Sequence, residues 1–187
     1  KAAEAAGLDP ENVEVVTTFL GGGFGRRAEF DVTNQAARIA VEMPGTPVQL
    51  MWSREEDVRH DYYRPGAMAR MTGAVGADGP TLFDARIAAP SVMRQSGMRF
   101  TGMATPGPDK LLLEGAFDQP YAIPNYRVAG HTAEVDVPIG YWRSVGNSHN
   151  AFFHECFVDE LAHAAGQDPV EMRLRLIRPE HAVSARV

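Results

Sequence analysis

Cysteine is nearly absent from this sequence, and two other features are missing as well. Cys156 is the only cysteine among 187 residues, which excludes an intrachain disulfide framework and a cysteine cluster for zinc or an iron–sulfur centre. No apolar run approaches the roughly 20 residues that a membrane-spanning helix requires, so we expect no membrane span. A basic excess is missing too, because 18 Lys and Arg against 24 Asp and Glu give a net charge of −6. This balance argues against a nucleic-acid partner.

The composition that remains is typical of a folded globular protein. Hydrophobic residues make up 44% and charged residues 22% of the chain, which is enough apolar material for one core or two small ones. The sequence begins at Lys1 without a leader and ends at "EHAVSARV" without a recognisable turn or cap. We therefore expect a segment of a longer polypeptide.

The first third of the chain mixes helical and strand-like patterns. An alanine-rich helix closed by Gly7 is followed by an alternating stretch that predicts a strand over residues 13–18. A second helix is predicted over residues 32–43. Residues 47–55, "PVQLMWSRE", are rich in β-forming side chains and predict another strand.

The middle of the chain predicts further strands. Residues 67–91 alternate as two strands of a hairpin, joined by a turn at "DGP". Residues 91–120 have weak periodicity and are predicted to be irregular or loosely helical, and alternation resumes over residues 126–137. Because hairpins occur and helices do not alternate strictly with strands, the pattern favours an α+β fold, with a mixed sheet packed against helices.

Two helices are predicted near the end of the chain. The first runs over residues 148–166, where Phe153, Phe157 and Leu161 recur at four-residue steps and form an apolar stripe with Phe152 and Cys156 beside them. The second begins after "DP", with the aspartate as its cap and the proline at its first position.

The stretch "GGGFGRR", residues 21–27, follows the first predicted strand and is called the glycine loop below. It lacks the last glycine of the G-x-G-x-x-G pattern, because positions 26 and 27 are both arginine, and no G-x-x-x-x-G-K-[ST] pattern is present. A loop of this kind lets a flat ligand lie on backbone N–H groups beside positive charge. The alternative is a tight turn with surface arginines.

A second unusual stretch, "PIGYWRSVGNSHN", places a tryptophan and an arginine between glycines, directly before a helix. The unpaired N–H groups of that helix would point back at the loop and favour an anionic group. The alternative is that Trp142 belongs to the core, Arg143 lies on the surface and Ser148 is the helix cap.

Other chemistries are weakly supported. "HECFVDELAH" lacks a histidine four residues after its first one, since position 158 is valine, so no protein-ligated metal is predicted. Glu155 and Asp159 are expected on the solvated face. "REED", residues 54–57, would place adjacent carboxylates on opposite faces of a strand, which suits exposure or salt bridges better than acid–base chemistry. No histidine has a nucleophile in a recognised setting, so no catalytic residue is predicted.

Three ordered segments change this interpretation: "VEVVTTFLGGGFGRR", "YWRSVGNSHN" and "ECFVDELAHAAGQDPVEMRLRL". Their order and spacing resemble the molybdenum-binding subunits of the xanthine dehydrogenase and aldehyde oxidase family. The double arginine, with "MWSREED" and "YRPGAMARM", is most similar to the isoquinoline 1-oxidoreductase beta-subunit branch. The resemblance implies a molybdenum-cofactor-binding-domain-like fold, with residues 1–187 forming part of the molybdopterin-binding region of a longer subunit.

The resemblance also implies which residues approach the cofactor. The glycine loop would lie beside the pterin and supply backbone contacts and an aromatic wall, while residues 143–146, called the arginine loop below, would approach the same cofactor from another side. Molybdenum would be held by the sulfurs of the pterin rather than by protein side chains. The residues implied as cofactor-binding are Gly22, Gly23, Phe24, Gly25, Arg26, Arg143, Ser144, Val145 and Gly146.

For the parent protein, the resemblance implies oxidation or hydroxylation of a small aromatic N-heterocycle or an aldehyde with oxygen from water. The expected cofactor is molybdenum-molybdopterin in its cytosine dinucleotide form, and the expected partners are the remainder of the large subunit and a small [2Fe–2S] subunit. Ala28 stands where xanthine dehydrogenases carry a glutamate, which argues against purine recognition. The glutamate that acts as general base in this family belongs to a region beyond Val187.

Further expectations concern the isolated segment and its location. The isolated segment is expected to be inactive and free of cofactor, because a ligand enclosed by several domains loses most of its contacts when they are removed. The parent is expected in the periplasm or the cytoplasm of a bacterium, and the resemblance to relatives exported with a twin-arginine leader favours the periplasm. A different class of function also stays open, namely a non-catalytic module whose two loops bind an anion or a protein partner.

Overall fold

The computed structural model describes residues 1–186 of the chain. The chain divides into two compact units, of which the first is Lys1–Tyr62 and the second begins at Tyr63. Each unit carries one of the two loops singled out in the sequence, the glycine loop in the first and the arginine loop in the second.

The first unit contains three helices and no strand. Helix α1 spans Ala2–Ala6 and is closed by Gly7 in the left-handed conformation, as predicted. Helix α2 spans Asp31–Val41 and packs against α1. Helix α3 spans Arg54–His60. Short 3₁₀ turns at Pro10–Asn12 and Arg26–Ala28 complete the unit.

Two predictions for the first unit are wrong. Residues 13–18 and 47–53 form no strand, because neither has a sheet partner among the described residues. Residues 54–57 lie on helix α3 instead of a strand. Ser53 caps this helix by accepting a hydrogen bond from the backbone N–H of Glu56. The acidic residues of the first turn stabilise the helix further, because negative charge interacts favourably with the positive end of the helix dipole. This local chemistry outweighs the β propensity of the preceding residues.

The second unit is built on a three-stranded mixed sheet. Strand β1 spans Met68–Gly76, β2 spans Gly79–Ala89 and β3 spans Asn125–Thr132, in the order β1-β2-β3. The first pair is antiparallel and the second is parallel. The predicted hairpin is therefore confirmed, with its turn at residues 77 and 78, and the predicted strand over residues 126–137 forms but ends at residue 132.

Three helices of the second unit lie in the segments that follow strands β2 and β3. Helix α4 spans Val92–Thr101, α5 spans Asn147–Ala164 and α6 spans Pro169–Leu176. Short 3₁₀ segments lie at Lys110–Leu113 and Pro179–Arg186. Residues 91–120 were predicted to be irregular or loosely helical, and α4 forms the helical part, where Ser91 accepts a hydrogen bond from the N–H of Arg94 and caps the helix. Sheet and helices together confirm the α+β class with a mixed sheet.

Helix α5 packs against the core through the main residues of the predicted stripe, but the two residues predicted beside the stripe point elsewhere. Leu161 is buried, and Phe153 and Phe157 are half-buried against the core, but Phe152 and Cys156 are exposed. The buried face includes Asn150 and His154 instead. Asn150 donates from its side-chain amide to the carbonyls of Leu112 and Glu114, at 2.9 Å each. These hydrogen bonds allow polar side chains to occupy the core.

The Asp168 cap of α6 is confirmed, since its carboxylate accepts from the N–H groups of Val170 and Glu171. Glu155 and Asp159 are both partly exposed and both accept from the guanidinium of Arg173, at 2.9 and 2.5 Å. Their predicted place on the solvated face of α5 is confirmed, and they tie α5 to α6.

Burial of His154 predicts a pH-dependent stability. The ring stacks on Phe83 with 4.8 Å between ring centres, and its Nε2 lies 2.6 Å from the Tyr126 hydroxyl and its Nδ1 3.1 Å from the Asn150 carbonyl. Burial lowers the pKa of His154 below its ordinary 6.5, against the opposing effect of the Asn150 carbonyl. The unfolded chain therefore binds more protons below pH 6.5, and the free energy of unfolding should fall as the pH drops through that value.

Urea unfolding between pH 5 and pH 8 measures this dependence. His154→Gln should flatten the slope below pH 6.5, although part of it should remain, because burial also lowers the pKa of His149. His163→Gln, on the exposed side of the same helix, is the matched control and should keep the full slope. An unchanged slope in His154→Gln would contradict the assignment.

Candidate functional site

The glycine loop forms a strained turn in the first unit. The φ angles are 140° at Gly22, 50° at Phe24 and 91° at Gly25. Glycine adopts such angles at little cost, whereas a phenylalanine with positive φ is uncommon. Phe24 is 61% exposed, so the turn keeps this aromatic residue near the surface rather than in the core.

A cavity of about 530 Å³ lies beside this loop. Gly22, Gly23, Phe24 and Arg26 line it, whereas Gly25 is not among its lining residues. Residues 50–54 line it as well. Its volume falls in the range of small-molecule sites, about 300–1,000 Å³. Its wall combines bare backbone, aromatic rings, cationic side chains and the carboxylates of Asp57 and Asp61, which pair with Arg54 and Arg26.

Arg26 is held on three sides within the first unit. Its Nη1 and Nη2 donate to the two carboxylate oxygens of Asp31 at 2.9 and 2.7 Å, and its Nε lies 2.6 Å from Asp61. The guanidinium also lies 5.4 Å from the ring centre of Trp52 and 5.7 Å from that of Tyr62. A guanidinium so fully engaged positions the loop. Sequence reasoning assigned Arg26 to the cofactor, and none of these partners was apparent from the motif.

Arg27 differs from its neighbour, because it is exposed and makes no ion pair within residues 1–186. The double arginine thus divides into one residue that anchors the loop and one whose charge faces solvent beside the cavity.

Arg26→Ala should destabilise the first unit by about 2 kcal/mol, the typical cost of losing hydrogen bonds to charged groups. Arg26→Lys should recover only part of this loss, because an ammonium group cannot reproduce the planar fork. Trp52 fluorescence during urea unfolding, in a Trp142→Phe background, reports this unit alone, since the chain has two tryptophans. Arg27→Ala is the control and should stay within about 0.5 kcal/mol of the parent. Equal effects at the two arginines would contradict the anchoring role.

The arginine loop in the second unit is strained as well. Ser144 and Val145 have φ angles of 73° and 41°, and a β-branched residue at positive φ is an outlier. The N–H of Val145 donates to the carbonyl of Trp142 at 2.9 Å and closes the turn. Trp142 and Arg143 are both exposed, so Trp142 is not a core residue.

Arg64 holds this loop from a distant part of the chain. Its Nη1 donates to Ser148 Oγ at 2.8 Å, its Nη2 donates to the Arg143 carbonyl at 3.2 Å, and its guanidinium lies 5.8 Å from the Trp142 ring centre. Arg64 and Arg143 are 79 residues apart in the sequence, so no local motif could predict this contact. The alternative that Ser148 caps α5 is wrong, because its Oγ accepts from Arg64 and the N-cap position of α5 is Gly146, which has no side chain to accept a hydrogen bond.

Gly146 is required by close packing. A Cβ at this position would lie 1.9 Å from the carbonyl oxygen of Leu111. The first turn of α5 therefore sits directly on the 3₁₀ segment Lys110–Leu113. Val145 and Gly146 line a narrow crevice of about 20 Å³ together with Arg64, Trp142 and His149.

The strain is confined to the two loops. Within residues 1–186, the non-glycine residues with positive φ are Phe24, Ser144 and Val145. Strained backbone tends to cluster at ligand-binding and catalytic sites, where the surrounding structure maintains it. The loops named from the sequence are thus the same segments that the structure holds in costly conformations.

No group of three or more His, Cys, Asp or Glu side chains in residues 1–186 is placed to hold a metal ion. The carboxylates of "REED" instead include Asp57, which is paired with Arg54. Over the same residues, no helix has the length and apolar character needed to cross a bilayer.

Comparison with known proteins identifies a family and several relatives of this chain. Residues 1–177 match the family described as molybdopterin cofactor-binding domain. The chain is 31% identical over 175 residues to a membrane-bound aldehyde dehydrogenase (pyrroloquinoline-quinone) of Gluconacetobacter polyoxogenes, covering 90% of the chain and 22% of that protein. It is 30% identical over 176 residues to isoquinoline 1-oxidoreductase subunit beta of Brevundimonas diminuta, covering 92% of the chain and 22% of that protein.

A solved structure is similar over the same extent. Aldehyde oxidoreductase from Desulfovibrio gigas superposes with a TM-score of 0.70 and 25% identity, over 92% of this chain and 18% of that one. The similarity confirms the predicted fold type. The chain spans about a fifth of the length of the proteins it matches.

Proposed function

Because the chain belongs to the molybdopterin cofactor-binding domain family, we propose that residues 1–187 form part of the molybdopterin-binding region of a molybdenum hydroxylase large subunit. The parent oxidises or hydroxylates a small aromatic N-heterocycle or an aldehyde. The names of relatives, isoquinoline 1-oxidoreductase and aldehyde oxidoreductase, support these substrate classes. Its partners are the remainder of the large subunit and a small [2Fe–2S] subunit.

The observation that carries this proposal is the positive φ at Phe24, Ser144 and Val145. Each of these residues lies in one of the two loops that the family resemblance assigns to the cofactor. Strain at non-glycine residues costs about 1–3 kcal/mol per residue, and folding alone gives no reason to keep it at both loops. A shared ligand gives such a reason, and we propose that both loops contact the same cofactor.

The roles of the residues follow from their surroundings. Gly22 and Gly23 keep the backbone bare at the cofactor, Phe24 forms an aromatic wall, and Gly25 allows the positive φ that turns the loop. Arg26 acts as a positioning residue, because its guanidinium is fully engaged by Asp31 and Asp61.

In the arginine loop, Arg143, Ser144, Val145 and Gly146 present backbone and charge to the other side of the cofactor. The N-terminus of α5, which follows Gly146, supplies positive potential toward its anionic groups.

When bound, the molybdenum cofactor would supply the redox chemistry, a two-electron oxidation in which a substrate C–H bond is replaced by a C–O bond with oxygen from water and two protons are released. The protein's contribution in these 187 residues is to bind and orient the cofactor, since no catalytic residue is assigned to them. The pterin dithiolene holds the metal, and the cofactor is in its cytosine dinucleotide form.

Metal and pterin analysis of the purified full-length subunit tests this proposal. We expect about one molybdenum per chain, an oxidised pterin fluorescence after acid release, and cytidine monophosphate after hydrolysis. The isolated 187-residue chain should contain neither metal nor pterin. A well-folded full-length subunit without molybdenum would favour a non-catalytic binding module. Pyrroloquinoline quinone in place of molybdenum, the cofactor named for one relative, would also contradict the proposal.

A further inference from the structure

The segment that leads into the glycine loop is exposed on both of its sides. Along residues 13–20, alternate side chains would face opposite directions in an extended strand. Val15 and Phe19, on one side, are 73% and 107% exposed, and Val16 and Leu20, on the other, are 75% and 65% exposed. Glu14 is the only charged residue in this stretch. Apolar residues on both sides are typical of a strand in the interior of a sheet with both faces covered.

The backbone of this segment has no partners in the described chain. Within residues 1–186, no hydrogen bond involves residues 14–22, and Val13 donates only to the nearby Pro10 carbonyl at 3.2 Å. Unpaired N–H and C=O groups along a β-prone segment are a template for strand addition. The first unit cannot supply the missing cover, because Ala3 is the only buried residue in residues 1–62.

We propose that residues 13–20 are completed as a β-strand by an extended segment of the same large subunit from outside these 187 residues. This inference rests on the proposed function, in which the chain is part of a longer subunit. About four fifths of the length of the matched relatives lies outside the match. That length of polypeptide can both pair with the segment and cover its two apolar faces, which a second copy of this chain would do only by association.

The strand bears directly on the glycine loop. Leu20 immediately precedes Gly21, and its side chain would lie 3.5 Å from a Cβ placed at Gly23. Arg26 fixes the loop on its C-terminal side through Asp31 and Asp61. Strand addition fixes it on the N-terminal side, so the cofactor-binding turn has two anchors only in the full-length subunit.

Hydrogen exchange followed by mass spectrometry compares the full-length subunit with the 187-residue chain. We expect the amides of residues 14–20 to exchange at least about 100-fold more slowly in the full-length subunit, as paired strands do relative to open segments. Val16→Glu should remove this protection in the full-length subunit, and the same variant should leave the thermal unfolding of the 187-residue chain unchanged because Val16 is exposed there.

Two results would overturn the inference. Fast exchange at residues 14–20 in both proteins would show that the segment has no partner. Protection in the 187-residue chain that increases with its concentration would identify a second copy as the partner. Molybdenum is measured on the same preparations, so that protection without metal refutes the proposed function alone, and metal without protection refutes this inference alone.

Discussion

Gly146→Ala is expected to lower the free energy of unfolding of the second unit by about 3 kcal/mol or more, the upper part of the range for overpacking. The added methyl group would lie 1.9 Å from the Leu111 carbonyl oxygen and 3.2 Å from the Glu114 nitrogen. Both are backbone atoms, so no side-chain rotation relieves the overlap. Helix α5 would have to move away from the 3₁₀ segment, and with it would move Asn150, which bonds to the same segment.

Urea unfolding of the 187-residue chain measures this effect. Gly66→Ala is the matched control, because a Cβ at Gly66 has no neighbour within 4 Å, and its stability should stay within about 0.5 kcal/mol of the parent. If Gly146→Ala were as stable as Gly66→Ala, the close approach of α5 to Leu111 would be wrong. The arginine loop would then lack the fixed position assigned to it.

Gly23→Val is expected to weaken the binding of molybdopterin to the full-length subunit while leaving the protein folded. A Cβ at Gly23 would meet only the side chains of Leu20 and Arg27, at ordinary contact distances of 3.5 Å and more. The added bulk lies in the wall of the cavity. Overpacking costs about 1–3 kcal/mol, and each 1.4 kcal/mol is a factor of ten in affinity. We therefore expect about 10- to 100-fold weaker retention of molybdopterin.

Molybdenum content after gel filtration, with circular dichroism to confirm folding, is the measurement. Gly21→Val is the control, because Gly21 has no neighbour within 4 Å of its Cβ and is not among the lining residues of the cavity. The control should retain its metal. Full molybdenum content in Gly23→Val would show that the glycine loop does not contact the cofactor.

Sequence patterns predicted those elements of the fold that depend on residues close together in the chain. The hairpin of β1 and β2, helix α5 and the Asp168 cap of α6 were all predicted from alternation, periodicity and capping residues. The bounds of helix α4 were not predicted, because residues 91–120 are rich in Gly, Met and Pro and their periodicity is weak. Helix α3 was mistaken for a strand because β-forming residues precede the Ser53 cap.

Contacts between distant residues could not be predicted in this way. Residues 13–18 have the pattern of a strand, but a strand needs a partner, and none is present in the described chain. The buried face of α5 carries Asn150 and His154 because carbonyl and hydroxyl partners come from residues that are far away in sequence.

The two loops were predicted through family resemblance, and the family is confirmed by the match over residues 1–177. Sequence reasoning did not predict the positive φ at Phe24, Ser144 and Val145, because no residue type there requires it. It also missed the anchors, Asp61 for the glycine loop and Arg64 for the arginine loop. Asp61 lies outside the segments that carry the resemblance, and Arg64 lies in "YRPGAMARM", which was recognised without a role for this arginine.

The most direct test is an anomalous difference map, recorded at the molybdenum absorption edge from crystals of the full-length subunit. We predict one molybdenum peak, with residues 22–26 and residues 143–146 both in contact with the pterin that carries it. A map in which only one loop touches the pterin, or in which the loops lie on opposite sides of the molecule, would contradict the shared site.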